Sequence, residues 1–333
     1  MKNFKIKHSV FFVLTMLCLT SCNNSDDDPV MTDNTITGIA SRSSNLSILV
    51  EALTKTNLAG TLQGNGPFTV FAPTNTAFTN FLNANGYANL DAVPVATLTE
   101  ILKNHVISGS VQSSGLVNNS YIKTLAKGSA SNSNTLSMYV NTSSGVRLNG
   151  VSSVITTVSG TTFDIIASNG VIHTVDAVIG LPTIITHAQA NPAFSTLVTV
   201  VTSTATNGNG FGDQSAVLSA LANNTTKTVF APTNSAFTAA TTGSGFAVGA
   251  TPSQVSKVLQ YHVTTAGNVL ASSLTNGQSI PTLTNPVQNL TIDLTNGAKI
   301  SDTSTTKANI IITDVQCANG VIHAVDKVLQ PTF

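Results

Sequence analysis

Two His/Asp pairs come nearest to catalytic parts in this 333-residue chain: His173 with Asp176, and His323 with Asp326. An imidazole beside a carboxylate is two thirds of an acid–base relay. Both pairs, however, sit in β-branched runs that read as strands, where successive side chains alternate faces. Residues three apart then point to opposite sides of a sheet, so neither pair makes a relay unless a bulge intervenes. The expected role of these histidines is to satisfy a backbone group near a turn. His105 and His262 fall on the apolar stripes of helical patterns, where a lone histidine is expected to be a hydrogen-bonded core residue. No second His or Cys lies at ligand spacing from either, so no metal is expected. No nucleotide loop, serine-nucleophile elbow or paired-carboxylate motif stands out. These readings predict a non-enzymatic protein with no catalytic residues and no cofactor.

The elements around these residues are readable from periodicity. Leu98, Ile101, Leu102 and His105 repeat at i, i+3, i+4, i+7, as do Val255, Val258, Leu259 and His262. Thr251-Pro252 supplies a capping hydroxyl and a proline at the first helical position of the second of these helices. Helical spacing also links Leu46, Leu49, Val50 and Leu53, and again Phe194, Leu197, Val198 and Val201. Phe68 to Phe71 reads as a strand halted by Pro73, with Thr74 or Asn75 placed to cap a helix carrying Phe78, Phe81 and Leu82. Short strands are predicted at Leu136 to Val140, Phe163 to Ile166, Leu290 to Leu294 and Ile310 to Val315, and Val178-Ile179 as the last strand of the first half. Helices early and strands late give an α+β class.

Each of these patterns occurs twice. Thr69-Val70-Phe71-Ala72-Pro73-Thr74-Asn75 with Ala77-Phe78 returns as Thr228-Val229-Phe230-Ala231-Pro232-Thr233-Asn234 with Ala236-Phe237. Asn169-Gly170-Val171-Ile172-His173 and Val175-Asp176 return as Asn319-Gly320-Val321-Ile322-His323 and Val325-Asp326. A repeat of this length is a duplicated domain rather than a solenoid unit of roughly 20 to 50 residues. The two blocks resemble the signature blocks of the fasciclin-domain family, which read like TVFAPTNxAF and NGVIHxVDxVL, and the resemblance spans about Ile36 to Pro331. It implies two tandem domains, 36–181 and 183–331, each a wedge of two β-sheets with helices along one edge. Phe71, Pro73, Asn75, His105, His173 and Asp176 would be structural signature residues of the first, with Phe230, Pro232, Asn234, His323 and Asp326 in the second. A Tyr-His pair in this family is implicated in adhesion to cell-surface receptors. Here Tyr261-His262 keeps it and Asn104-His105 does not. Tyr261 falls on a flanking face of its helix and is the better contact candidate, while His262 lies on the apolar stripe.

Residues 1–21 read as a lipoprotein signal peptide. Lys2, Lys5 and Lys7 precede an apolar run from Val10 to Leu19 that is too short for the roughly 20 residues a bilayer span needs. Leu19-Thr20-Ser21-Cys22 resembles a lipobox, making Cys22 the expected acylated first residue. Residues 22–35, with Asp26-Asp27-Asp28, form an acidic tether that could reach roughly 45 to 50 Å when extended. Acidic residues after the lipidated cysteine resemble the export tag of surface-displayed lipoproteins of some Gram-negative bacteria. Cys18 leaves with the signal and Cys22 carries lipid. Cys317 is then the one remaining thiol, and it shares strand parity with Ile311, Thr313 and Val315, as a small buried hydrophobe would.

Charged residues make up 8% of the chain, so the surface is built from Ser, Thr, Asn and Gly. Without the leader, 11 basic residues stand against 14 acidic ones and no basic run survives, which argues against nucleic-acid binding. The leading expectation is a lipid-anchored adhesion or matrix-interaction protein on the outer membrane, displayed at the cell surface, with a protein or glycan partner and membrane contact through the lipid alone. A carrier or sensor of a small apolar ligand held between helices and sheet is the alternative, and a hydrolase the third.

Overall fold

The structure is a computed structural model that describes residues 32–155, 163–206, 210–242 and 250–333. The signal peptide, Cys22 and the acidic run of the tether lie outside the described residues. In the first copy the chain forms α1 (Ile36–Arg42), α2 (Ser47–Lys55), α3 (Ala59–Gln63), β1 (Phe68–Pro73), α4 (Asn75–Ala84) and α5 (Val95–Asn104), then β2 (Val106–Ser108), β3 (Ser120–Gly128), β4 (Ser131–Asn141), β5 (Arg147–Leu148), β6 (Ser152–Ser153), β7 (Ile165–Ala167) and β8 (Gly170–Val175). The second copy repeats this order with α6 (Ile184–Ala190), α7 (Ser195–Val201), α8 (Ser215–Ala222), β9 (Lys227–Pro232), α9 (Asn234–Thr242), α10 (Pro252–Tyr261), β10 (Val263–Thr264), β11 (Ser279–Pro281), β12 (Asn289–Asp293), β13 (Lys299–Ser301), β14 (Ala308–Cys317) and β15 (Gly320–Val325).

Hydroxyl caps start the helices at matching places. Thr35 accepts from the Gly38 N–H and Thr183 from the Thr186 N–H, while Thr74 caps α4 by accepting from the Ala77 N–H at 3.1 Å. The strands of the first copy follow the order β6-β5-β4-β3-β2-β1-β8-β7, and those of the second β10-β9-β15-β14-β13-β12-β11. Next to the last strand at one end of each order, the two signature strands run parallel, with Phe71 opposite His173 and Phe230 opposite His323. Alternation then divides their side chains between two cores. Val70, Ala72 and Ile172 face the helices with Leu49, Leu53 and Leu102, while Phe71 and Val175 pack on Met138, Val140 and Leu148. Val229, Ala231 and Ile322 repeat the first arrangement, and Phe230 and Val325 the second. Each domain is therefore α+β, with helices on one side of the signature strands and the curled remainder of the sheet on the other.

Two sequence expectations are corrected, and three short helices are added. Val178-Ile179 is not a strand, because β8 ends at Val175 and the Ile179 N–H donates to a histidine rather than to a neighbouring strand. The strand parity expected along β14 breaks, since its pairing with β15 shifts register between Ile310 and Ile312 and again before Val315. Ile311 is thereby 51% exposed while Val315 and Cys317 stay buried. The short helices α1, α3 and α8 carry too few turns to show a periodic stripe, and the sequence reading passes over them.

Asp33–Phe333 forms one compact unit. The two copies meet where β3 and β4 approach β14 and α6. Ala130 N–H donates to the Ala318 carbonyl at 2.9 Å, Gln316 N–H to Ser137 Oγ at 3.0 Å, and Lys123 Nζ to the Asp314 carbonyl at 2.9 Å.

Candidate functional site

The helical histidines close the helices they end. In α5 and α10 the apolar residues Leu98, Ile101, Leu102 and Val255, Val258, Leu259 are buried, which carries the next residue, His105 or His262, inside. His105 Nδ1 lies 2.8 Å from the Ile101 carbonyl, and its Nε2 accepts the Ile179 N–H at 2.9 Å. His262 repeats this with the Val258 carbonyl at 2.7 Å and the Leu329 N–H at 2.9 Å. An Nε2 that accepts a backbone N–H carries no proton, so Nδ1 holds it and donates to the helix carbonyl. Burial favours that neutral form and lowers both pKa values to about 4. With both nitrogens engaged, neither ring has a free site for a metal or a substrate proton.

The strand histidines are latched in a second way. His173 Nε2 lies 2.9 Å from the Val111 carbonyl and Nδ1 accepts the Asp164 N–H at 3.3 Å; for His323 the partners are the Val269 carbonyl at 2.8 Å and the Asp314 N–H at 3.4 Å. Each ring stacks on the phenylalanine opposite, Phe71 at 5.5 Å and Phe230 at 5.6 Å between centroids. Burial pushes both pKa values down. The carboxylates lie elsewhere: Asp176 accepts the Ser153 N–H at 2.6 Å, and Asp326 takes the Asn309 N–H at 2.8 Å and its Nδ2 at 2.6 Å. Neither pair is assembled as a relay.

Tyr261 requires a correction. It is 2% exposed, packs in the core beneath the curled sheet of the second domain, and donates its hydroxyl to the Asn289 carbonyl at 3.1 Å. A flanking position on an amphipathic helix is covered here because sheet and helix enclose α10 from two sides. His262 at 3% exposed is equally withdrawn. In the first copy Asn104 occupies the Tyr261 position, donating Nδ2 to the Gly180 carbonyl at 2.9 Å.

The asparagines of the signature blocks tie elements together. Asn75 accepts the Ile48 N–H at 3.0 Å and donates to the Ser44 carbonyl and Ser47 Oγ; Asn234 does the same with Thr196, Pro192 and Ser195. Sequence reasoning missed the parallel work of Asn169 and Asn319. Asn169 accepts the Ile36 N–H at 2.9 Å and donates to the carbonyls of Leu62 and Gly64, and Asn319 accepts the Ile184 N–H at 3.0 Å and donates to the carbonyls of Leu221 and Asn223. The signal for them was the repeated Asn-Gly step. A Cβ on Gly170 would lie 1.9 Å from the Phe68 carbonyl oxygen, and one on Gly320 2.1 Å from that of Lys227.

The interdomain seam was also not anticipated. His187 on α6 is fully buried with neither nitrogen hydrogen-bonded, its ring edge-on to Tyr121 at 5.5 Å. Burial lowers its pKa to about 3, outweighing the nearby Ser137 and Gln316 carbonyls, and the Lys123 ammonium adds to the depression. Cys317 is free and buried, with its thiol pKa pushed up by burial.

Two recesses stand out among the described residues. One is an apolar cavity of about 40 Å³ in the second domain, between α6, α7, α8 and the signature strands, lined by residues such as Ile184, Val201, Val217 and Ile322. The other is a cleft of about 440 Å³ on the first domain, bordered by α4, Asn149, Asp176 and the segment leading into α6. No cluster of three metal-ligating side chains and no helix long and apolar enough to cross a membrane occurs among the described residues.

The family model for the fasciclin domain matches residues 44–182 and 192–331. An uncharacterized Synechocystis protein, sll1735, is 33% identical over 144 residues, 43% of this chain and 96% of its own. Protein sll1483 of Synechocystis is 32% identical over 151 residues, 45% of this chain and 73% of its own. Among solved structures, a FAS1 domain pair from the insect cell adhesion molecule Fasciclin I superposes with a TM-score of 0.50 at 18% identity, covering 86% of this chain and 97% of that one. With both signature blocks seated on paired parallel strands in each half, the chain belongs to the fasciclin domain family and carries two tandem copies of that domain.

Proposed function

We propose that this protein is a non-enzymatic adhesion or matrix-interaction protein, held at the cell surface by a lipid on Cys22 and acting through weak contacts multiplied over many copies. The observation that carries the reading is that all four latched histidines, in both domains, have both ring nitrogens bonded within the fold. What the repeated residues secure is a rigid presenting body, with a near-neutral Ser/Thr/Asn surface suited to close approach. The solved domain pair that shares the fold comes from a cell adhesion molecule. Linked weak sites exceed single-site affinity by roughly 10² to 10⁴, so modest contacts suffice. The alternative carrier reading would use the apolar cavity of the second domain, but about 40 Å³ is far below the roughly 300 to 1,000 Å³ of small-molecule sites.

Cells lacking the protein are expected to lose attachment or biofilm cohesion, with wild type restoring it and Cys22→Ser failing to. Normal attachment by the null cells would remove the proposal.

A further inference from the structure

The cleft on the first domain has a specific chemistry. Its wall carries Asn149, which is 2% exposed. Asn149 Oδ1 accepts the Tyr139 N–H at 2.7 Å, which fixes the amide orientation and leaves Nδ2 as a buried donor without a partner. Such a donor has already lost its water, so an acceptor brought to it gains a bond with little further desolvation. Asp176 adds a carboxylate that accepts one bond, from Ser153, where Asp326 of the second domain has both oxygens bonded to Asn309. Asn80 lies on the same border. Phe81, Val151 and Leu181 supply apolar surface between these polar groups, and Val151 is 57% exposed.

The second copy differs at several of these positions. Ala239 and Ala240 stand where the first copy has Asn80 and Phe81. Lys327 replaces Ala177, and its ammonium reaches back 3.0 Å to the carboxylate of Asp302, whose side chain is fully buried. A long charged side chain paired with Asp302 thus stands at the position where the first copy has only a methyl group.

No Lys or Arg lines the open cleft, which disfavours phosphate, sulfate and other anions, and a single carboxylate does not make a cation cage. An uncharged ligand is required, with hydroxyls that both accept and donate and with a C–H face for the phenylalanine. Its size is bounded by about 440 Å³, within the roughly 300 to 1,000 Å³ of small-molecule sites. We propose that this cleft is a carbohydrate site, taking a neutral sugar ring whose hydroxyls accept from Asn149 Nδ2 and donate to the Asp176 carboxylate while its apolar face covers Phe81. The proposal rests on the adhesion reading and names a glycan as the partner class.

Saturation-transfer NMR on the whole mature chain, with methyl glycosides of glucose, mannose and galactose and with N-acetylglucosamine as probes, tests it. At least one sugar should be saturated through its ring C–H groups. Ala177→Lys, which installs the side chain of the second copy, and Phe81→Ala, at a half-buried position, should each weaken that sugar about tenfold, or roughly 1.4 kcal/mol. Unfolding midpoints read alongside identify a variant that fails to fold, and the other variant then decides. Absence of saturation by every sugar, undiminished binding in the folded variants, or binding of inorganic phosphate in place of sugar overturns the proposal. Null cells restored to full attachment by Ala177→Lys would sink the glycan cleft and leave adhesion standing. Null cells that attach normally would sink adhesion regardless of the sugar result.

Discussion

Acid should unfold this protein through its histidines, and His262→Gln isolates one of them. In the folded chain His262 is neutral with a pKa of about 4, against 6.5 for the free side chain. As pH falls below 6.5 the unfolded chain takes up a proton that the folded chain refuses, so stability declines with pH until about 4, where both states are protonated. The full gap of about 2.5 pH units corresponds to roughly 3 kcal/mol, and about 2 kcal/mol of it has developed by pH 5. His105 behaves alike, and His187, with a pKa of about 3, adds a similar loss over the same window. Three such losses total roughly 6 kcal/mol, comparable with the stability of a typical domain at about 5 to 15 kcal/mol. Carboxylates do not confuse this window. Asp293, held low by Lys307 and Thr295, contributes stability that is lost only at more acid pH. Urea unfolding at pH 7, 6 and 5 gives the slope of stability against pH. His262→Gln should lower stability at pH 7 by roughly 1 to 3 kcal/mol through the altered bonds to Val258 and Leu329. It should also flatten the slope by up to one proton. An unchanged slope in the variant would show that His262 is not the neutral latch described.

Two further outcomes follow from named bonds. Asn234→Ala removes the acceptor of the Thr196 N–H and two donated bonds, and urea unfolding should show a loss of about 2 kcal/mol in the second domain with little change in the first. Tyr261→Phe removes the hydroxyl bond to Asn289 and should cost about 1 kcal/mol while leaving cell attachment at the wild-type level. A selective attachment defect in Tyr261→Phe without loss of stability would return Tyr261 to the surface.

The parts of the fold that were legible in the sequence are those with either a long stripe or a repeated word. Helices α5 and α10 show three apolar positions and a closing histidine at helical spacing, and Thr251-Pro252 announces the start of α10 with a capping box that Gln254 completes. The strands β1 and β9 announce themselves because Val70 and Phe71, and Val229 and Phe230, must fill two cores at once. What periodicity cannot carry is a contact made across the fold. The burial of Tyr261 depends on β12, whose Asn289 lies 28 residues away, and no local pattern encodes it. The register shifts in β14 depend on its pairing with β15, so Ile311 looked buried from parity alone. Asn149 and Ala177 draw no notice as residue types; the cleft they border exists only once α4 and the segment before α6 are placed against them.

Duplication supplies an internal standard for separating architecture from specialisation. The two copies share only short stretches of sequence, yet the Asn75 and Asn234 acceptor bonds are both 3.0 Å, and the His105 and His262 latches differ by no more than 0.1 Å. Agreement of that kind is what a common fold demands and carries no information about a partner. Differences at equivalent, well-packed positions are more telling, because the fold tolerates either residue and some other requirement selects between them. Counting from the capping threonines, Ile39 of the first copy becomes His187 in the second, an imidazole with no bonded nitrogen pressed against Tyr121 of the neighbouring domain. That exchange belongs to the seam, since only the second copy has a domain to meet there. Ala177 becoming Lys327 is the opposite case: the charged residue, paired with Asp302, sits in the second copy and the small one in the first. An unpartnered buried donor costs stability, and Asn149 Nδ2 in the wall of the first-domain cleft is one. Keeping such a group at the wall of a cleft is what a binding site, rather than a packing defect, would require.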